Sequence, residues 1–311
     1  MKAYDLLVVG EINPDLVLRG DDVVPRFGQT EKMVDAADLT IGSSSAIMAC
    51  AAARLGLRTA FVGVVGDDAF GRFMLDAMTE RSVDTRSCIV DEALDTGVSV
   101  ILSKGADRAI LTHLGAISAL RADQVDRDLL REARHLHVGS YFLLDALRPG
   151  LADLFREARQ EGLSTSLDTN WDPRDRWNDA LPAVLAQTDV LLPNAEEALR
   201  ISGRSSLDDA IDALGDVVRT VAVKLGAAGG RAARDGRQAS APSLEIELVD
   251  TTGAGDTFDA GFLYGHLNGW TLDEALRLAC ACGSLSTRAA GGTDAQPTLE
   301  EALAATAKLG A

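Results

Sequence analysis

The sequence predicts an α/β fold, a doubly wound and largely parallel central sheet flanked by helices, with a small additional β-sheet. Three observations predict it. Short apolar runs of the kind buried on both faces of a parallel sheet recur at residues 4–10, 61–65, 135–138, 163–167, 190–192 and 220–225. Segments with helical spacing separate most of these runs, which is the alternation of a βα-built sheet. Two stretches, about 16–40 and 96–113, instead carry β-leaning residues broken by Gly and Asp with no helix between them. These are read as insertions of small-sheet strands, at about 12–40 and 96–113, into one α/β domain spanning 1–311.

Composition narrows the function. The chain has 311 residues, 47% of them hydrophobic, and 30 basic against 47 acidic residues give a net charge of −17 spread along its length. That balance argues against nucleic acid or an anionic membrane surface as partner, both of which need basic patches. No apolar run approaches the roughly 20 residues of a membrane span. Met1–Asp5 leads straight into a strand without the regions of a signal peptide, so a cytoplasmic protein is expected. The four cysteines (Cys50, Cys88, Cys280, Cys282) are too scattered for a disulfide framework and are read as small core residues.

Taken in order, residues 4–10 form a central buried strand, and Glu11-Ile12-Asn13-Pro14-Asp15 follows at its carboxyl end, where open α/β sheets bind ligands. Asn13 and Asp15 are either turn residues or donors and acceptors for substrate hydroxyls. Gly42-Ser43-Ser44-Ser45 opens a helix with hydroxyls available as caps, and Gly56 stops it. Residues 61–71 are a strand-turn-helix unit whose glycines serve the turn. Val98–Leu102 and Ala109–Thr112 read as a hairpin around Gly105-Ala106-Asp107. His135 and His137 alternate with apolar residues in a strand and are read as core. The strand at 163–167 ends in Asp168-Thr169-Asn170, and that at 190–192 ends in Pro193-Asn194-Ala195-Glu196-Glu197. In the latter, Asn194 reads as an N-cap with acids in the first turn. Lys224 and Gly226 close the strand at 220–225, as a surface lysine and a loop glycine or as ligand contacts.

The stretch Asp250-Thr251-Thr252-Gly253-Ala254-Gly255-Asp256-Thr257-Phe258-Asp259-Ala260-Gly261-Phe262 carries the most chemistry. The β-leaning run Leu244–Val249 before it and the helical spacing of Phe258, Phe262, Leu263 and Leu267 after it put the glycines where a strand turns into a helix. Unpaired amides at such a helix start can hold an anion. Asp256 is then either a cap of the first turn or an acid facing the bound anion. The second arrangement suits phosphoryl transfer, with amides steadying the phosphoryl group and a carboxylate taking the proton of an attacking hydroxyl.

This stretch resembles the C-terminal signature of the ribokinase-like, or PfkB, carbohydrate kinases. Gly63–Gly71 resembles the family's Gly-x-x-Gly-x-Asp-x-x-Gly, and Gly42–Gly56 resembles its first signature in part. The likeness covers nearly the whole chain and implies transfer of a phosphoryl group from ATP to a hydroxymethyl-type alcohol of a small sugar. By this resemblance Asp256 is the catalytic base, and the amides of Gly253, Ala254, Gly255 and Asp256 form the anion hole. Asn13 and Asp15 grip the substrate, with Gly42, Ser43, Ile47, Ser140, Asp168 and Asn170 around it. Asn194, Lys224, Gly226, Gly229, Cys282 and Ser286 border the nucleotide. Glu197 places Mg²⁺ through water, and Asp250 and Thr252 belong to a site for a monovalent cation such as K⁺. The small sheet is a lid over the sugar and the contact of a homodimer.

Three positions depart from the pattern. Ile47 stands where many members have an Asn, Gly139 and Ser140 occupy the place of a substrate-binding Glu, and Asp172 replaces an Arg whose space Arg174 or Arg176 would have to reach. The less polar pocket leaves a nucleoside kinase of the same family as the alternative. A non-catalytic sugar or nucleotide sensor is the third reading.

Overall fold

The computed structural model of the chain describes residues 2–104, 107–177 and 180–307. Its frame is a nine-stranded sheet. From one edge to the other the strands are β15 (Arg237–Ala241), β14 (Gly230–Arg234), β13 (Thr220–Lys224), β12 (Val190–Leu191), β11 (Ser164–Leu167), β10 (His135–Val138), β1 (Leu6–Val9), β4 (Thr59–Val62) and β6 (Val83–Asp84). The run from β13 to β6 is parallel throughout, and β14 and β15 add an antiparallel hairpin at one edge.

Helices cover both faces, as the near-continuous apolar strands require. Alternate residues of β1 divide between two cores: Leu6 and Val8 pack with α1 (Ser44–Arg54), α8 (Ala254–Leu267), α9 (Leu272–Ser286) and α10 (Leu299–Thr306), together with α2 (Ala69–Glu80). Leu7 and Val9 pack on the other side with α3 (Arg127–Glu132), α4 (Arg148–Gln160), α5 (Leu181–Leu185), α6 (Ala195–Ser202) and α7 (Leu207–Gly215). Because β1, β10, β11, β12 and β13 are adjacent and parallel, their carboxyl ends gather Gly10, Gly139, Asp168, Leu192 and Lys224 on one rim. His135 and His137 are buried in β10 and bonded to Ser164 and Ser166, so both belong to the core as expected.

A separate four-stranded sheet runs β3 (Ala36–Ile41), β2 (Pro14–Arg19), β8 (Val98–Lys104), β9 (Asp107–His113), and β5 (Val64–Gly66) pairs with β7 (Ile89–Asp91). The hairpin expected at 98–112 is present, with Lys104 opposite Asp107; its turn residues Gly105 and Ala106 lie outside the described residues. Two sequence expectations need correction. Leu244–Val249 forms no strand. It runs along α9 and spends its polar groups there: the Leu244 amide donates to the Ser284 hydroxyl, and the Val249 and Asp250 amides donate to the Thr287 carbonyl. The sequence from about 272 to 290 reads as one helix, and α9 stops at Ser286.

Candidate active site

Helix α8 begins at the rim. Gly253 is its N-cap in the left-handed region (φ 74°), a conformation that L side chains rarely adopt, and a Cβ there would also press on Ile47 and Gly292. That turn swings the first amides outward. Those of Gly253, Gly255 and Asp256 have no hydrogen-bond partner among the described residues, whereas the Ala254 amide donates to the Thr251 carbonyl at 3.2 Å. Three open amides and the positive end of a helix of 14 residues are an arrangement able to receive an anion. Asp256 sits in its first turn, buried, with its pKa pushed up to about 8 by burial and by Asp168 against the pull of Lys224.

Beside it lies a charged cluster from three elements. Lys224, at the end of β13, donates to Asp168 at 2.9 Å and to Asp259 at 3.1 Å, and only 12% of its side chain is exposed. The surface-lysine reading of Lys224 is therefore wrong: the strand end points inward. Lys224 keeps the Asp168 carboxylate charged, while burial drives Asp259 well above the carboxylate range. The pair of carboxyls and one ammonium is a buried ion network, whose worth lies in holding positions rather than in net stability. Glu197 borders it. Its two oxygens accept from the Asn194 amide at 2.8 Å and the Asn194 side-chain amide at 2.6 Å, so the capping box is real, and burial beside Asp168 pushes its pKa up to about 7.

Next to the small sheet, Asn13 and Asp15 are buried where β2 begins. The Asp15 carboxyl has its pKa raised to about 7 by burial and by Asp250, partly offset by Arg108. Gly42 is required there, since a Cβ would collide with the Asp15 carboxylate. Ser43 caps α1 and donates to the Glu11 carbonyl at 2.6 Å. Asn170 donates to the Ser140 hydroxyl at 2.8 Å, and Ser140 donates to Glu11 Oε1 at 2.7 Å. Ile47 is buried under the Gly253 turn and Gly292, so it supports the start of α8 from below. Asp172 organises its loop by accepting from the amides of Arg174, Arg176 and Trp177, and the Arg174 guanidinium is held on Asp145.

Sequence reading missed three residues of this site. Glu11 is buried and accepts from Ser45 and Ser140, filling the region where the family's Glu was found missing. An acid immediately after an all-apolar strand was the available signal. Asp259 lay within the signature but three residues beyond the acid given the catalytic role. Arg108, on β9, crosses to donate to the Thr252 hydroxyl at 2.9 Å, a contact no local pattern foretells.

A cavity of 320 Å³ opens next to the start of α8, lined by Lys224, Gly226, Gly229, Gly255, Phe258 and one face of α9. From α9 it is Cys280, Gly283, Ser284 and Thr287 that face it. The expected contacts Cys282 and Ser286 do not: Cys282 packs on Gly261 of α8 and Ser286 donates to its own Gly283 carbonyl. Helical phase explains the error, because 280, 283, 284 and 287 share one face and 282 and 286 lie on another. Asp250 accepts from the Thr252 amide and hydroxyl and from the Gly291 amide, tying the loop before α8 to that after α9. Among the described residues no group of three or more His, Cys, Asp or Glu is placed to hold a metal.

Open helix-start amides with a buried acid, a mononucleotide-sized cavity and a polar pocket under a small sheet sit together on one rim. The model of the pfkB family carbohydrate kinases matches residues 4–299. The chain belongs to this family. PfkB relatives include a protein named an uncharacterized sugar kinase from Archaeoglobus fulgidus, 31% identical over 227 residues, covering 72% of this chain and 89% of the relative. The ribokinase of Haemophilus influenzae is 29% identical and covers 96% of this chain and 97% of its own. Among solved structures, Arabidopsis thaliana ribokinase complexed with ribose and ATP superposes with a TM-score of 0.87 at 25% identity, over 98% of this chain and 99% of the other. The PfkB chain described here is an ATP-dependent carbohydrate kinase with the ribokinase-like fold. No helix among the described residues is long and apolar enough to cross a membrane.

Proposed function

We propose that the protein transfers the γ-phosphoryl group of ATP to a hydroxymethyl oxygen of a small sugar or sugar derivative. The observation that carries this reading is the placement of buried Asp256 in the first turn of α8, beside three amides without partners. The substrate hydroxyl gives its proton to the Asp256 carboxylate as its oxygen attacks the γ-phosphorus. The bond from that phosphorus to the bridging oxygen breaks, and ADP leaves. The amides of Gly253, Gly255 and Asp256 bear the charge on the transferring group; the Ala254 amide joins them once released from Thr251.

Asn13 and Asp15 orient the sugar, with Asn170 and Ser140 held against it by Glu11. Adenine and ribose occupy the cavity between Gly226–Gly229 and the Cys280–Thr287 face of α9. Magnesium would be held through retained water rather than by a set of direct carboxylate ligands, beside Asp168, Asp259, Glu197 and Asp256, the acids that act on Lys224. Glu197 would hold it through water, since its oxygens already accept from Asn194. Bound there, the ion neutralises phosphate charge. The Asp250 carboxylate is engaged by Thr252 and Gly291, so K⁺ would rest on main-chain carbonyls that Asp250 and Thr252 position. The small sheet acts as lid, with Arg108 reaching from it to Thr252, and its edge strand β9 is exposed along its length, Ile110 and Leu111 included, which suits a homodimer contact.

The test is ADP release with Mg·ATP, with and without K⁺, across sugars, sugar acids and nucleosides, with Asp256→Asn as control. A sugar-dependent signal lost in the variant supports the proposal. A signal with nucleosides alone would replace it by a nucleoside kinase.

A further inference from the structure

A cleft of 1490 Å³ lies away from the active site. It lies at the opposite rim, where Ser164 and Thr220 begin β11 and β13 and where α8 ends at His266 and Leu267. Its lining has six basic and three acidic residues, in a chain whose net charge is −17. Part of that basic charge is already engaged: Arg134 with Asp5 and the Leu267 carbonyl, Arg219 with Asp235, and Arg159 at 3.6 Å from Asp189. The side chains of Arg234 and Arg237 have no hydrogen bond or ion pair among the described residues; Asp235, the acid nearest to them in sequence, is held on Arg219 and feels the charge of Arg234.

These two arginines stand directly opposite each other in the β14–β15 ladder. Like charges at directly opposed positions destabilise an antiparallel pair. Opposed in register and lining one cleft, the two arginines, with Arg219 just before β13, offer guanidinium donors of the kind that suit a phosphoryl group. The Nδ1 of His266, on the cleft wall, is buried and has no partner among the described residues. A folded arrangement that leaves a repulsive pair and an idle ring nitrogen around one cavity is completed by an anion.

We propose that this cleft binds a phosphate-bearing small molecule, held by Arg234 and Arg237 with Arg219 and His266 beside them. It is separate from the catalytic centre: His266 follows Asp256 on α8 by ten residues, about 15 Å along the axis. A ligand here is therefore an effector and not a substrate.

The experiment is calorimetric titration of the full chain with the active site filled by saturating magnesium and a non-hydrolysable ATP analogue. The probes are inorganic phosphate, pyrophosphate, AMP and fructose 6-phosphate, which separate a free phosphate from a nucleotide or a sugar phosphate as its source. At least one probe should bind with one site per chain, and Arg234→Gln/Arg237→Gln should weaken it at least tenfold. The ligand-free double variant should melt no lower than wild type, because a repulsion has been removed. Arg237→Lys, which keeps the charge without the fork, should fall between the two. Absence of binding for all four probes, equal affinity in the double variant, or a double variant melting several degrees lower would each overturn the proposal, the last by making the arginines structural.

Discussion

Replacing Asp256 by Asn should slow the enzyme and stabilise the fold at once. The substitution keeps the shape of the side chain and removes the carboxylate. A general base is worth about 10²–10⁴ in rate, so turnover should fall by that factor. The stability gain follows from burial. With the pKa of Asp256 raised from 3.8 to about 8, the folded protein holds a proton at pH 7 that the unfolded chain has released. At about 1.36 kcal/mol per pK unit this costs the wild type about 4 kcal/mol at pH 7 and about 2 kcal/mol at pH 5. Asn carries no such cost. Unfolding entropy of about 2.1 cal/mol/K per residue gives about 0.65 kcal/mol/K for 311 residues, so the rise in Tm is roughly 6 °C at pH 7 and roughly 3 °C at pH 5. For an acid with a raised folded pKa, the penalty is absent below pH 3.8 and complete above about pH 8, so the difference in Tm should grow as pH rises. Steady-state kinetics and melting curves at pH 5, 7 and 8 measure both effects. Turnover within threefold of wild type would refute the base, and a variant that melts lower than wild type would refute the account of burial.

In the wild type, kcat/KM should rise with pH through about 8 as Asp256 loses its proton, and a profile flat from pH 6 to 9 would place the base elsewhere. Lys224→Met removes the partner of Asp168 and Asp259 and should cost about 3–5 kcal/mol, seen as a Tm lower by about 5–8 °C. Cys280→Phe should raise the KM for ATP several-fold by filling the cavity, whereas Cys282→Ala should leave that KM unchanged and lower Tm slightly. Glu11→Ala strands the Ser45 and Ser140 hydroxyls and should cost about 1–3 kcal/mol while raising the KM for the sugar more than that for ATP.

The parts of this protein legible in its sequence are those written locally. The turn into α8 needs Gly253, Gly255 and Asp256 in one short stretch, and the parallel strands announce themselves as apolar runs. The residues that sequence reading misplaced depend on distant partners. Leu244–Val249 has β-leaning side chains but no strand beside it, so its amides go to α9. Cys282 and Ser286 were placed by resemblance, and the period of the helix they occupy turns them away from the cavity. Lys224 becomes buried only because Asp168 from β11 and Asp259 from α8 converge on it. Glu11 acquires its role when β10 brings Ser140 within 2.7 Å.

The acid–base chemistry of the site follows from one imbalance. Four buried carboxyls, Asp168, Glu197, Asp256 and Asp259, share one ammonium, Lys224. Lys224 keeps Asp168 ionised through direct contact, and the remaining three are pushed upward by burial and by the charge of Asp168. An exposed aspartate, ionised far below neutral pH, is a weak base toward an alcohol. Asp256, raised to about 8, is a stronger one and still partly ionised at working pH, the condition under which a general base is most effective. The burial that destabilises the fold at this position is thus the same feature that fits the residue for proton abstraction, and a variant that relieves the one loses the other.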